Sequence, residues 1–273
     1  MPLFTIDPNK CNRDGLCAAE CPVGCIEFIE GELPGPHEKK QSYCLNCGHC
    51  VAVCPSDAIT LERLPAKSVR LDRSLNISWE QAEQYLKGRR SVRFFKDEPV
   101  PEVVLARILA VTEYAPSGHN ARPTRWSVAT SRDKVAELAG AVVNWMRFEV
   151  DRESPVAARL HLAGIVRAWD NGLDLVCRNA PALAVAYGPE AGVTPREDGI
   201  IAVTYLDLAA NAVGLGGCWC GYLMAAAAHD SGLRSVLGVP DDGAVYGAIM
   251  LGKPARRYRA IPPRPEPDIQ WLY

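Results

Sequence analysis

The chain has almost no net charge. Its 273 residues include 30 basic and 32 acidic side chains, a formal balance of −2. That balance points away from nucleic acid and from anionic membranes as partners. No apolar run approaches the roughly 18–20 residues of a membrane span. The first ten residues, Met1 to Lys10, lack the basic opening and apolar stretch of a secretory signal. There is also no G-x-G-x-x-G set in a strand–turn–helix unit, so the sequence carries no dinucleotide fingerprint. Cysteine is not scarce, but it is missing from most of the chain. Eight of the eleven cysteines fall within the first 54 residues, and only Cys177, Cys218 and Cys220 lie beyond. Such crowding argues against a secreted disulfide scaffold and for thiolates committed to metal in a reducing compartment. A cytoplasmic location is therefore expected. The apolar content of 48% is ordinary for a globular core.

What is present is organised around Cys44–Pro55, CLNCGHCVAVCP. Cys44, Cys47, Cys50 and Cys54 stand at the spacing C-x2-C-x2-C-x3-C-P. Three thiolates on one tight loop can hold three corners of an iron–sulfur cubane, while the fourth, followed by proline, reaches a second cluster. A structural zinc knuckle, the competing use of clustered thiols, usually needs two separated pairs. His49 lies between two of these cysteines and, like His37, is read as solvent-facing rather than as a ligand.

The motif is repeated. An earlier copy runs through Cys11, Cys17 and Cys21-Pro22, and each copy is followed by a similar apolar pair, Ile26/Phe28 and Ile59/Leu61. In the first copy the second cysteine position is held by Asp14. Three readings follow. Asp14 can ligate a 4Fe-4S cluster through its carboxylate, a hard but workable iron ligand; this is the preferred one. The corner can stand vacant, leaving a 3Fe-4S cluster. Or Cys25 can move in, its bland alternative being a buried bystander thiol. Residues 1–62 resemble a bacterial two-cluster ferredoxin, a pseudo-symmetric βαβ repeat. By its crossover rule, Cys54 joins Cys11, Asp14 and Cys17, and Cys21 joins Cys44, Cys47 and Cys50. A module this short buries little core, so its clusters would supply folding energy directly.

Residues 63–77 carry mixed charge without apolar period and read as a linker. The rest, 78–273, mixes helices with a few strands. Ser78-Trp-Glu-Gln81 is a capping-box pattern opening a helix to about Leu86. Pro101 starts another that runs to Thr112. Helices are further expected over 133–148, 155–170, 199–213 and 221–229, and strands over 126–130, 183–187 and 245–251. With no strict βαβ beat, the fold class is α+β.

Three stretches here carry chemistry. Arg89-Arg90-Ser91-Val92-Arg93-Phe94-Phe95 gathers three guanidinium forks suited to a phosphate, although a solvated basic turn would read the same. Ala115-Pro-Ser-Gly-His-Asn-Ala-Arg-Pro123 is a loop whose Ser117 and Asn120 can hydrogen-bond a planar polar ring. Gly214-Leu-Gly-Gly-Cys-Trp219 is a turn where missing side chains let backbone approach a ligand. With Leu251-Gly-Lys-Pro254, their order resembles the nitroreductase family of FMN proteins, over essentially all of 79–273. The tail Tyr258-Arg-Ala-Ile-Pro-Pro-Arg264 is similar to that of members fused to ferredoxin modules.

The resemblance implies a nitroreductase-like FMN-binding α/β sandwich, a homodimer, and FMN at the subunit interface. Arg89, Arg90, Ser91 and Arg93 would bind the FMN phosphate, ribityl chain and pyrimidine edge. Pro116, Ser117, Gly118 and Asn120 would come from the partner subunit and line the ring. Gly216 and Gly217 would lie near its reactive edge. Arg259 would complete the phosphate site, with Arg256 and Arg257 as alternates. The loop departs from the family at Arg122-Pro-Thr-Arg-Trp126, where N-x-Q-P-W is usual. The implied activity is an iron–sulfur flavoprotein oxidoreductase that passes electrons from the clusters to FMN and on to a small organic acceptor: a nitroaromatic, a quinone or an activated C=C bond. Reduced ferredoxin and NAD(P)H are the donors to consider, since the family binds NAD(P)H without a fingerprint. The rivals are an electron-transfer or redox-sensing module with a protein partner, and a specialised dehalogenase or flavin-fragmenting enzyme. Trp145, Phe148, His161 and Trp169 are lid or substrate candidates without a motif, and no catalytic side chain is assigned. His119 and His161 read better as structural than as proton donors. Cys218 and Cys220, one residue apart, would make a strained disulfide and read as buried thiols, with Cys177 as core.

Overall fold

The computed structural model describes residues 2–64 and 66–273. Two compact units form. One comprises residues up to Asn76 together with His119–Ala121, and the other comprises Ile77–Gly118 and Arg122–Tyr273.

The first unit contains β1 (Phe4–Ile6), α1 (Leu16–Ala19), β2 (Ile26–Glu27), β3 (Gly35–Pro36), α2 (His49–Val53) and β4 (Ile59–Leu61). β1 pairs antiparallel with β4, Phe4 opposite Leu61, and β2 pairs antiparallel with β3. The core is small: Leu3, Phe4, Ile26, Ile59 and Leu61, with Cys17, Cys25 and Cys50 among them. Each helix is about one turn long and begins after a left-handed glycine, Gly15 (φ 70°) before α1 and Gly48 (φ 76°) before α2. A side chain on Gly15 would also strike the Phe28 ring at 2.5 Å. The repeat seen in the sequence is thus a repeat of backbone conformation.

The second unit is built on α3 (Trp79–Gly88), α4 (Glu102–Val111), β5 (Arg125–Ala129), α5 (Arg132–Asp151), α6 (Pro155–Arg159), α7 (Leu162–Asp170), β6 (Ala182–Pro189), α8 (Pro195–Ala212), β7 (Gly216–Trp219), α9 (Gly221–His229), α10 (Ser231–Val236) and β8 (Gly243–Gly252). Its sheet is antiparallel throughout, in the order β5-β6-β8-β7. Alternate residues of β6 and β8 serve opposite faces, as strand geometry requires. Ala182, Ala184, Ile249 and Leu251 pack with Leu105 and Ile108 of α4 and Val203 and Leu206 of α8. Leu183, Val185, Ala248 and Met250 pack with Val142 and Met146 of α5 and Leu223 of α9. The result is a sheet covered by helices on both faces. Among the described residues no helix is long and apolar enough to cross a membrane.

The capping box at Ser78 forms as expected: Ser78 Oγ accepts from Gln81 N, and Gln81 Oε1 accepts from Ser78 N. Three expectations shift. Pro101 caps α4 rather than opening its first turn. The expected helix 155–170 is broken, because His161 adopts a left-handed conformation (φ 53°) between α6 and α7. The glycine turn at 216–217 is a strand, β7, held along β8 with Gly217 opposite Leu251.

Candidate functional site

In the first unit two cavities divide the cysteines. One is lined by Cys11, Asp14, Cys17 and Cys54, and the other by Cys21, Cys44, Cys47 and Cys50, with Cys25 beside them. The sets are crossed, each drawing one thiol from the other copy of the motif. The local backbone gives Asp14 the same setting in the first copy that Cys47 has in the second. Asp14 stands between left-handed Arg13 (φ 54°) and Gly15 (φ 70°), as Cys47 stands between Asn46 (φ 52°) and Gly48 (φ 76°). The two proline-flanked cysteines are matched as well. Cys25 N donates to Cys21 Sγ at 3.2 Å, and Ala58 N donates to Cys54 Sγ at 3.2 Å. Burial alone would raise the Cys54 thiol, but N–H groups at Ala58, Ser56 and Ile59 outweigh it and hold its pKa below the ordinary value. Such bonds favour the thiolate that binds iron.

Cys25 does not line the cavity of Asp14. It is buried at the other one, donates from Sγ to Lys40 O at 3.1 Å, and has its pKa pushed up to about 11 by burial and by Cys21 and Cys44. The reading in which Cys25 replaces the missing ligand of the first copy has no geometric support.

In the second unit, α3 ends at Gly88 and the chain turns extended at Arg89. The arginine stretch is then clamped at three points. Val92 N donates to Gly217 O, Lys96 N to Lys253 O, and Ala255 N to Phe94 O, each at 2.9 Å. The Val92 side chain occupies the place where Gly216 lacks a Cβ, since an added methyl would come within 2.2 Å of it. Arg256 lies over the Phe94 ring at 3.8 Å. These fastenings turn Arg89, Arg90, Ser91 and Arg93 into one wall of a cavity of about 790 Å³. The opposite wall is the proline-rich tail, with Tyr258, Ile261, Pro262, Pro263 and Arg264. Arg259 is exposed and outside this lining, whereas Arg264, from the same tail, belongs to it.

Behind the cavity wall, Arg89 Nη1 meets Asp207 Oδ2 of α8 at 3.1 Å. Burial pushes the Asp207 carboxyl up, and Arg89 offsets part of that. Gly217 lacks a Cβ for the same pair, because a methyl there would lie 2.4 Å from Asp207 Oδ1 and 2.7 Å from Ile249 Cδ1. On the side where a Cβ would point, both glycines make room for this chain's own side chains, Val92 at Gly216 and Asp207 at Gly217. Sequence reasoning missed Asp207 and Arg264. A carboxylate inside the apolar run Tyr205–Val213 was the available signal for the first.

The loop after α4 stands apart. Ser117 Oγ accepts from Arg122 N at 3.1 Å, and Gly118 N donates to Asp198 Oδ1 at 3.0 Å. Pro116, Ser117 and Arg122 line a small cavity with Asp198 and Trp126, not the arginine-walled one. Asn120 (φ 54°) belongs to the segment that groups with the first unit. Cys177 and Cys220 face each other, with sulfurs 3.9 Å apart and fully buried. Their mutual hydrogen bond and burial push the Cys177 thiol well above its ordinary range, as expected of inert core thiols.

A family model described as the nitroreductase family matches residues 86–253, and one described as a 4Fe-4S dicluster domain matches residues 3–55. The chain belongs to the nitroreductase family. It is a nitroreductase-type oxidoreductase with a ferredoxin-type iron–sulfur domain at its N-terminal side. It is 29% identical over 180 residues to an NADH dehydrogenase of Thermus thermophilus, covering 61% of this chain and 83% of that one. It is 38% identical over 58 residues to pyruvate synthase subunit PorD of Methanothermobacter marburgensis, 21% of this chain and 63% of that one. The solved nitroreductase of Bacteroides fragilis with bound FMN shares the fold at a TM-score of 0.58 and 23% identity, covering 70% of this chain and 99% of that one.

Proposed function

We propose that this nitroreductase-family enzyme is an iron–sulfur flavoprotein that moves electrons between two ferredoxin-type clusters, FMN and a small organic acceptor such as a nitroaromatic, a quinone or an activated C=C bond. The observation that carries this reading is the single cavity walled by Arg89, Arg90, Ser91 and Arg93 and faced by Arg264. Guanidinium forks are suited to a phosphate dianion, and the cavity lies in the size range of small-molecule sites. FMN bound there would supply the conversion between one-electron and two-electron chemistry. Arg89, Arg90 and Arg264 fit the phosphate, Ser91 the ribityl chain, and Arg93 the pyrimidine edge. Cys11, Asp14, Cys17 and Cys54 would hold one cluster and Cys21, Cys44, Cys47 and Cys50 the other. Pro116, Ser117, Gly118 and Asn120 would meet the flavin of a partner subunit in a homodimer, which accords with the separation of the Ser117 cavity from the arginine wall. NAD(P)H and reduced ferredoxin are the proposed donors.

The test is anaerobic purification with iron, sulfide and flavin quantified, and EPR of the protein as isolated and after dithionite. About eight irons and one FMN per chain are expected. An oxidised three-iron signal with about seven irons would mean that Asp14 leaves its corner empty. Protein that takes up no FMN would overturn the flavoenzyme reading and leave an electron carrier.

A further inference from the structure

Asp207, the carboxylate paired with Arg89 behind the arginine-walled cavity, has no role in the reading given so far. It sits inside α8, in a stretch whose neighbours Val203, Leu206 and Ala210 are core residues. Its side chain is 8% exposed, while the Arg89 side chain that it pairs with is 32% exposed. Its second oxygen, Oδ1, is buried without a hydrogen-bond partner. A buried carboxylate is costly, and a buried ion pair stabilises a fold no better than apolar residues of the same size would. Stability alone therefore does not account for Asp207.

We propose that Asp207 is a positioning residue for cofactor binding: it fixes the guanidinium of Arg89 at the cavity wall so that the fork is already placed when the FMN phosphate arrives. The inference rests on the reading of that cavity as the FMN site. Asp207 does not line the cavity and acts through Arg89. The surroundings are arranged for this pair. α3, which delivers Arg89, is tied to α8 by Tyr85 Oη donating to Leu208 O, the residue after Asp207. On the other side, the missing side chain of Gly217 leaves the space that the carboxylate fills. An arginine free to sample its rotamers would lose that freedom on binding, whereas one held by an ion pair has lost it beforehand.

The experiment uses the full-length protein freed of flavin, with its iron content and circular dichroism checked, titrated with FMN and with riboflavin, which lacks the phosphate. Asp207→Ala is expected to weaken FMN binding about tenfold while changing riboflavin binding less than about threefold. Asp207→Asn, which keeps an acceptor for Arg89, is expected to recover most of the loss. In an Arg89→Ala background, Asp207→Ala is expected to add nothing further. Should Asp207→Ala fail to fold, Asp207→Ser removes the carboxylate with a smaller cavity and is read in the same way. Equal losses for both flavins would make Asp207 a structural residue and overturn the proposal, as would unchanged FMN binding. Unsubstituted protein that binds riboflavin as tightly as FMN would instead sink the phosphate-cradle reading itself.

Discussion

Single residues decide most of what distinguishes this chain. Gly217 is one. Alanine there has to displace Asp207 Oδ1 at 2.4 Å and Ile249 Cδ1 at 2.7 Å, both held in packed surroundings. Gly217→Ala should therefore cost about 1–3 kcal/mol, as overpacking does, seen as a lower midpoint in chemical denaturation of the second unit. Gly214 offers the contrast. It has open space around it but a φ of +79°, so its alanine variant meets backbone strain of about 1–2 kcal/mol without any clash. Cys25 is a second deciding position. If it is a bystander at the Cys21 cavity, Cys25→Ser keeps a donor for Lys40 O and should leave iron per chain unchanged. A loss of about four irons on that substitution would instead make Cys25 a ligand. The eight proposed cluster positions were legible because cluster spacing is a local property of sequence. Asp207 and Arg264 were not, because their meaning lies in partners more than a hundred residues away, Arg89 for one and the arginine wall for the other.

Elements are less uniform in how they announce themselves. The α3 start is fully local: Ser78 and Gln81 exchange hydrogen bonds three residues apart, and the pattern could be read directly. Removing it with Ser78→Ala should cost about 1 kcal/mol, a fall of a few degrees in the thermal midpoint of the second unit. Because α3 carries Arg89 at its end, the same variant should also loosen FMN binding modestly, measured by flavin fluorescence. β7 shows the opposite case. Four residues, two of them glycine, carry no strand signal of their own. They become a strand because β8 offers a free edge from Ile249 to Gly252. The break at His161 was equally silent, since neither proline nor glycine marks it. The chain changes direction there through a left-handed histidine.

At the scale of the whole molecule, the two units draw on different sources of stability. The second has apolar cores on both faces of its sheet, whereas the first packs a handful of side chains and counts three cysteines among its core. Iron and sulfide should therefore act as folding ligands for the first unit alone. Stripping them with a chelator under oxidising conditions should abolish amide protection over residues 2–61 while the protection of β6 and β8 persists. Simultaneous loss in both would show that the second unit leans on the clusters. The fold class and the two-module order were readable from the sequence because each module has its own periodic pattern. The bringing together of residues 89–93 with the 258–267 tail was not, because no pattern ties an arginine stretch to a distant run of prolines.

That closure has a consequence in time. All the proposed cluster ligands lie at or before position 54, whereas the arginine cavity needs both Arg89 and a wall that ends near Pro267. A chain emerging from the ribosome presents the whole proposed iron-binding set before the tail that completes the other cavity has been made. The order of synthesis thus sets an order of maturation, with iron and sulfide able to load during translation and the flavin only once the tail has emerged.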